Sequence, residues 1–266
     1  DVAPSRGLGD VYKRQIINIV FFSPEDLNII KNGPGERRRF IDLELSQLDK
    51  VYLNNLSNYN RIVNQRNHLL KEIDYNKGAL ETLDIWDMQL IQYGNKIIER
   101  RQKFIEEINK IISNIHKKLT GNREDIKIVY EPSNGALSFE QALLKNKEKD
   151  LRIKSTSVGP HRDDIAFLVS DIDIRKYGSQ GQQRTAALSL KLSEIELVKQ
   201  SIHDTPVLLL DDVLSELDKH RQNYLLDSIH DIQTLITCTG VDEFVNHRFS
   251  INKVFHVQSG QVTKEN

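Results

Sequence analysis

The 266-residue chain is short of most features that would commit it early to a function. It holds one cysteine, Cys238, which rules out an internal disulfide framework and suits a reducing compartment. It has no charge bias. Lys and Arg number 37 against 38 Asp and Glu, a net charge of −1, so no global field attracts a polyanion and any nucleic-acid surface must be local. Long apolar runs are missing too. The longest, around Ile16–Phe22 and Val207–Leu210, are far too short to span a bilayer, and no charged start followed by an apolar core marks a secretory signal. Internal repeats and low-complexity tracts are also lacking. These absences lead to the expectation of a soluble, cytoplasmic protein with no membrane partner, large enough for one big core or two small ones.

The first residue is Asp1, and residues 1–15, DVAPSRGLGDVYKRQ, have no apolar period before the abrupt IINIVFF. A non-native or disordered leader is expected over 1–15, within a chain that is itself a fragment. Ile16–Phe22 is β-branched and aromatic and ends at Ser23-Pro24, the pattern of a buried strand. Ser23 and PEDL then supply an N-cap, a proline at the first helical position and early acids for a short helix. NGPGERRRF is expected as a loop leading into a long helix from about Arg37.

Two helical stripes follow. Tyr52, Leu56, Tyr59, Val63, Leu70 and Ile73 keep a 4-3-4 spacing that Arg66 interrupts, and Ile97, Phe104, Ile108, Ile111 and Ile115 repeat it. With DYNKGALE as the turn between them, the natural solution is a short antiparallel coiled-coil arm over 48–122, the alternative being two helices of an ordinary bundle. Residues 16–47 precede the arm. Over 123–266 strands and helices alternate: DIKIVYE, then SFEQALLKN, then DDIAFLVSDIDI as a hairpin or long strand. A helix over Thr185–Lys199, strand PVLLLDD, helix 218–230, strand TLITC, a short helix from Val241 and strand KVFHVQ complete the series. The fold class is α/β, with a parallel or mixed sheet covered on both faces.

Two stretches carry chemistry. PVLLLDDVLSELD places Asp211 and Asp212 at the carboxyl end of an apolar strand, where open α/β sheets bind ligands. One carboxylate there can hold Mg²⁺ and its neighbour can orient or deprotonate a water. Taken alone, adjacent acids after a strand can equally open a loop. Upstream, YGSQGQQRTAALSL sets Ser179, Gln180, Gly181 and Gln182 at the start of a helix whose N–H groups and positive end attract phosphate.

Together, about 28 residues apart, these two stretches resemble the signature motif and Walker B strand of ABC-type ATPases, with Ser215–Asp218 as the D-loop. The blocks FFSPEDLNIIKNGPGERRRFIDLELSQLD, VGPHRDDI and YGSQGQQRTAALSLKLSE, and their order around a helical arm, are similar to the RecF family of bacterial recombination mediators. The resemblance runs from about Ile16 to the end. It implies a partial ABC-type ATPase head with a coiled-coil arm, ATP and Mg²⁺ as cofactors, and an ATP-dependent homodimer. Ser179, Gln180, Gly181 and Gln182 would cap ATP held by a second protomer, Asp211 would hold Mg²⁺, and Asp212 would activate water. Ser215 and Asp218 would lie in the D-loop. An Asp at 212, where many transport ATPases carry Glu, implies slow turnover. The partners implied are duplex and junction DNA and RecR-like and RecO-like mediators, in recombinational repair, replication restart and the SOS response.

One part is missing from the sequence. The P-loop string G-x-x-x-x-G-K-[ST] does not occur, and NGPGERRR lacks the Lys-Ser/Thr while Pro34 removes a donor. In RecF-like proteins that loop lies in the first lobe, so the resemblance implies an N-terminally truncated chain, inactive by itself as an ATPase. ITCTG offers Thr237 and Thr239 where the family's switch loop carries His. An SMC-like head would need a longer arm, a transport ATPase would read Leu-Ser-Gly-Gly-Gln, and a non-enzymatic interaction module stays open for this chain. For DNA, Lys31, Arg37, Arg38 and Arg39 form one basic patch and residues 96–118 a second. His161 and Arg162 in GPHRDD fit either a nucleotide sensor or a structural turn.

Overall fold

The computed structural model describes residues 18–73, 78–239 and 252–264. The leader 1–15, most of the turn in DYNKGALE and the helix expected from Val241 lie outside them. No helix among the described residues is long and apolar enough to cross a membrane.

Ile19–Phe22 forms β1. Ser23 then opens a 3₁₀ turn whose Asp26 carboxylate accepts from the Ser23 N–H at 2.8 Å, and α1 (Leu27–Lys31) follows. The next helix, α2 (Pro34–Leu48), starts three residues earlier than the sequence suggested. Proline at the first position has its φ preset and gives up an N–H that no helix uses there, so half of NGPG is helix and not loop. Asp49 ends α2 and caps α3 (Lys50–Glu72), accepting from the Val51 and Tyr52 amides.

The long helix α4 (Ala79–Leu119) has 41 residues, about 60 Å at 1.5 Å per residue. It runs antiparallel to α3: near one end Arg66 meets Asp87, and near the other Tyr52 meets Arg101. The expected stripe is buried through Leu70, with Leu83, Leu90, Ile97, Phe104 and Ile108 facing it. Toward the C-terminus of α4 the buried position is Ile112, while Ile111 and Ile115 are only partly covered. The helix has by then left its partner. Asn109 hydrogen-bonds both ways with the Ile128 backbone, and His116 meets Ser189, so the last turns of the arm helix belong to the head. The helical pair is also braced from the side by α5 (Phe139–Lys145) and α6 (Lys147–Ile153). A Cβ at Gly94 would come within 2.4 Å of the Phe139 ring, so glycine is what lets α5 approach.

β2 (Ile126–Glu131), β3 (Asp164–Val169) and β4 (Ile172–Asp173) form an antiparallel sheet. DDIAFLVSDIDI is a hairpin whose two turn residues, Ser170 and Asp171, both have positive φ (48° and 64°). The short α7 (Ile174–Tyr177) leads into α8 (Gln180–Ile202). β5 (Val207–Asp211) pairs in parallel with β1 on one side and β6 (Thr234–Thr237) on the other, with α9 (Lys219–Ser228) between β5 and β6 in the chain. Val20, Phe22, Leu208 and Leu210 on one face of this sheet pack with Leu188, Leu192, Ile195 and Leu225. A last hairpin joins β7 (Phe255–Gln258) to β8 (Gln261–Lys264).

Candidate nucleotide-binding site

Strand β5 delivers Asp211 at its carboxyl end, and the chain turns sharply at Asp212, which has a left-handed φ of 50°. A non-glycine residue pays steric strain there, and it persists because the backbone is held: the Asp212 N–H donates to the Thr237 carbonyl at 3.1 Å, with the Thr237 hydroxyl at 3.2 Å. Thr237 Oγ1 also donates to Asp211 Oδ1 at 2.5 Å. Thr237, from the ITCTG segment, therefore joins both acids. The Asp212 carbonyl accepts from Ser215 Oγ at 2.8 Å, while its own Oδ1 is buried without a hydrogen bond among the described residues. A buried carboxylate oxygen without a donor is costly unless a cation or a donor from a ligand completes it.

This donor set fits Mg²⁺: Asp211, Asp212 and Thr237 offer only hard oxygens. Mg²⁺ is commonly held by one or two carboxylates and keeps several waters, so the Asp211–Asp212 pair need not close a full shell.

At the other half of the site Ser179 caps α8. Its Oγ accepts from the Gln182 N–H at 3.2 Å, and Gln182 Oε1 accepts from the Ser179 N–H at 3.0 Å. Ser179, Gln180 and Gly181 are exposed, and a Cβ on Gly181 would meet nothing closer than Ser179 Oγ at 3.9 Å. Gly178 is different, since a Cβ there would sit 2.6 Å from Ile174 Cβ. Of the four signature residues, three face solvent. Gln182 turns inward, its Nε2 donating to Glu124 Oε1 at 2.9 Å.

The two halves are braced against each other. Arg184 of α8 pairs with Glu216 at 2.9 Å, and Arg221 Nη2 donates to Thr185 Oγ1 at 2.6 Å. Asp218 caps α9 through the Arg221 N–H, a bond that, ahead of the Arg221 guanidinium, holds its carboxyl below the usual range. Ser215 and Asp218, the expected D-loop residues, are thus engaged in the turn that carries this brace.

Comparison with known proteins adds an independent line. No family model matches the chain. The DNA replication and repair protein RecF of Lachnospira eligens is 64% identical over 253 residues, covering 94% of this chain and 70% of that protein. That of Clostridium perfringens is 47% identical over 250 residues, covering 92% and 68%. The chain belongs to the RecF family. It spans about 70% of the length of these relatives. A solved structure of the recombination mediator protein RecF with ATP superposes with a TM-score of 0.85 at 37% identity, over 94% of this chain and 68% of that one. A second, RecF-ATPrS, gives 0.84 at 38%. The fold is accordingly that of the RecF family, an α/β head with an antiparallel helical arm.

Family membership does not make every basic residue a DNA contact. Arg37 is 4% exposed and turned inward, its guanidinium gripping Asp164 at 2.6 and 3.0 Å and the Asn32 carbonyl at 2.5 Å, so its assignment to a DNA surface is corrected to a structural one. Arg38 is half-buried and donates to the Asp163 carbonyl. Lys31 and Arg39 remain exposed. In the second patch Arg101 is buried against Asp42, Tyr52 and the Pro160 carbonyl, and Arg100 pairs with Asp49 and Glu107. Lys96, Lys103, Lys110 and Lys118 keep their side of the helix exposed.

His161 is a structural residue in this RecF-family head. Nε2 donates to the Thr156 carbonyl at 3.1 Å, which leaves Nδ1 to accept from Tyr59 Oη at 2.8 Å. Burial lowers its pKa from 6.5 to about 4, so the ring is neutral. Arg162 donates to the same carbonyl and to Ser155. GPHRDD as a whole is a junction: Pro160 receives Arg101, Asp163 receives the Tyr130 hydroxyl and the Ser133 amide, and Asp164 receives Arg37 and Arg175.

Sequence reasoning missed a fully buried guanidinium and its partners. Arg66 is fully buried on α3, bonded to Asp87 at 2.6 Å, Asp150 at 2.8 Å and Thr156 at 2.9 Å. Its signal was the interruption of the apolar stripe: a charge on a buried face implies a buried counter-charge. The partner Asp150, 84 residues away, could not be read from spacing.

Proposed function

We propose that this chain carries the signature and Walker B half of an ATP-dependent DNA clamp serving recombinational repair and replication restart. The observation that carries the proposal is the joining of the exposed Ser179 turn to the Asp212 turn through Arg184–Glu216 and Thr185–Arg221, which sets the two motifs side by side on one face. On this reading Ser179 and the first amides of α8 receive the terminal phosphate of ATP carried by a second protomer. Asp211, with Thr237 fixing its orientation, would hold Mg²⁺. Bound there, the ion would offset the charge on phosphate oxygens. Asp212 also orients and deprotonates the attacking water, and its short side chain makes turnover slow, a switch more than a motor. Loss of the terminal phosphate removes what Ser179 grips, so the clamp opens.

Relatives solved with ATP support the nucleotide, and their description as recombination mediators in the RecFOR pathway supports RecR-like and RecO-like partners. Exposed Lys31, Arg39, Lys96, Lys103, Lys110 and Lys118 supply a sequence-independent grip on DNA phosphates. Without G-x-x-x-x-G-K-[ST], this chain alone turns over no ATP.

Light scattering with and without ATP and Mg²⁺, on this chain and on the full-length protein, tests the proposal. Dimerisation of the full-length protein alone, dependent on ATP, is the expected result. A full-length protein that binds ATP and stays monomeric would overturn the clamp.

A further inference from the structure

The inward turn of Gln182 points to a device that the motifs do not announce. A glutamine amide is asymmetric: one end accepts and the other donates. At the start of α8 the accepting end must face the Ser179 N–H, because that N–H has nothing else to donate to within the capping box. Which end faces it is decided by the neighbour at the far side of the amide. That neighbour is Glu124, whose carboxylate oxygen accepts from Gln182 Nε2 at 2.9 Å. A carboxylate there selects the amide orientation that completes the cap.

Glu124 is itself held by the arm. It lies five residues beyond Leu119, the last of α4, and its N–H donates to Thr120 Oγ1 at 3.3 Å. Thr120 Oγ1 in turn donates back into the last turn of α4, to the His116 carbonyl at 2.9 Å. Beside it His116 is fully buried. Ser189 donates its hydroxyl to the Thr185 carbonyl at 2.8 Å, so it can only accept from His116 Nδ1 at 2.9 Å. His116 Nε2 is then without a proton and stands 3.6 Å from Glu124 Oε2, outside hydrogen-bonding distance. Burial lowers the His116 pKa and keeps the ring in that neutral form. The carboxylate therefore finds its donor in Gln182 and not in the histidine.

We propose that Glu124 is a positioning residue for the signature turn, transmitting the placement of the arm helix to Ser179 through the orientation of the Gln182 amide. The consequence for dimerisation rests on the clamp reading above; the positioning itself does not. Strain carried along α4 to its last turns, where the helix joins the head, would act on the carboxylate that holds the cap. The phosphate-binding turn is then held or loosened through a contact separate from the Arg184–Glu216 and Thr185–Arg221 brace.

Two readouts on the full-length protein separate the claims. The first is amide hydrogen exchange of the 178–183 segment without nucleotide. Glu124→Ala should speed it about fivefold, the worth of one capping interaction, while the melting temperature stays near wild type because Glu124 is partly exposed. Glu124→Gln, which keeps the volume but can face Gln182 with either end of its amide, should fall between the two. Unchanged exchange in both variants overturns the proposal, as does a rise spread evenly over all segments. The second readout is dimerisation with ATP and Mg²⁺, expected to weaken about tenfold in Glu124→Ala with ATP affinity of the monomer retained. If dimerisation is unaffected while exchange rises, coupling from arm to clamp is overturned. If the wild type itself does not dimerise, it is the clamp that fails, and the exchange data still decide the role of Glu124.

Discussion

Acidification should destabilise this protein through buried imidazoles, His161 foremost, before its carboxylates are lost. His161 is wedged between Tyr59 and the Thr156 carbonyl as a neutral ring, and burial, with Arg162 and Arg38 nearby, lowers its pKa from 6.5 to about 4. The folded state thus binds this proton less readily than the unfolded chain does. The neutral ring's contribution is whole above pH 6.5 and is lost as pH falls from there toward 4. Weighting the two protonation equilibria, the loss between pH 7 and pH 5 is about 2 kcal/mol, and about 3 kcal/mol by pH 4. Urea titrations followed by far-UV circular dichroism at pH 7 and pH 5, on wild type and His161→Gln, isolate it. The glutamine amide can accept from Tyr59 and donate to Thr156 but cannot titrate. Asp125, Asp173 and Asp218, whose hydrogen bonds hold them below the usual carboxylate range, are common to both proteins and cancel. With a slope of about 3 kcal/mol per molar, the wild-type midpoint should fall about 0.6 M further than that of the variant. Equal falls in the two proteins would show that His161 titrates normally and is not confined as described.

The buried ion pair of the arm makes a second prediction. Arg66→Leu leaves Asp150 buried without its cation and should cost about 3–5 kcal/mol, whereas Arg66→Leu with Asp150→Leu should recover much of it in a thermal melt. Within the basic run, Arg37→Glu should lower stability by losing Asp164, while Arg39→Glu should leave the melting temperature alone and reduce both DNA affinity and its salt slope. Binding isotherms at two salt concentrations check this, and an Arg39→Glu protein with unaltered slope removes that residue from the interface. In the full-length protein Asp212→Asn should bind ATP and accumulate as a dimer on size-exclusion chromatography; normal ATP turnover by that variant would place the base elsewhere.

Periodicity made the strands and long helices legible, because alternation and the 4-3-4 stripe report directly which face is buried. The position of the Asp211–Asp212 pair at the end of β5 was legible for a similar reason, while its chemistry rested on the resemblance, since acids after an apolar strand can equally open a loop. Counting charge failed where direction mattered. Arg37, Arg38 and Arg39 follow one another at about 100° steps around a helix, so a run of three cannot all face one partner. One turned inward to Asp164, one leaned on a backbone carbonyl, and one stayed in solvent. Gln182 was misjudged in the same way. Its motif placed it with the phosphate-facing residues, but its side chain was claimed by Glu124, 58 residues earlier, and no local pattern records that pairing.

Buried charges leave a mark on how such a protein can diverge. A leucine in a packed seam can drift to isoleucine or methionine one step at a time, each at modest cost. Arg66 with Asp150, and Arg101 with Asp42, cannot, because either partner changed alone strands the other in the interior. Across relatives that share only about half their residues, these positions should therefore stay fixed together or change together. Both ends of the arm would then carry slowly evolving buried pairs, Arg101 with Asp42 at its root and Arg66 with Asp150 nearer its tip.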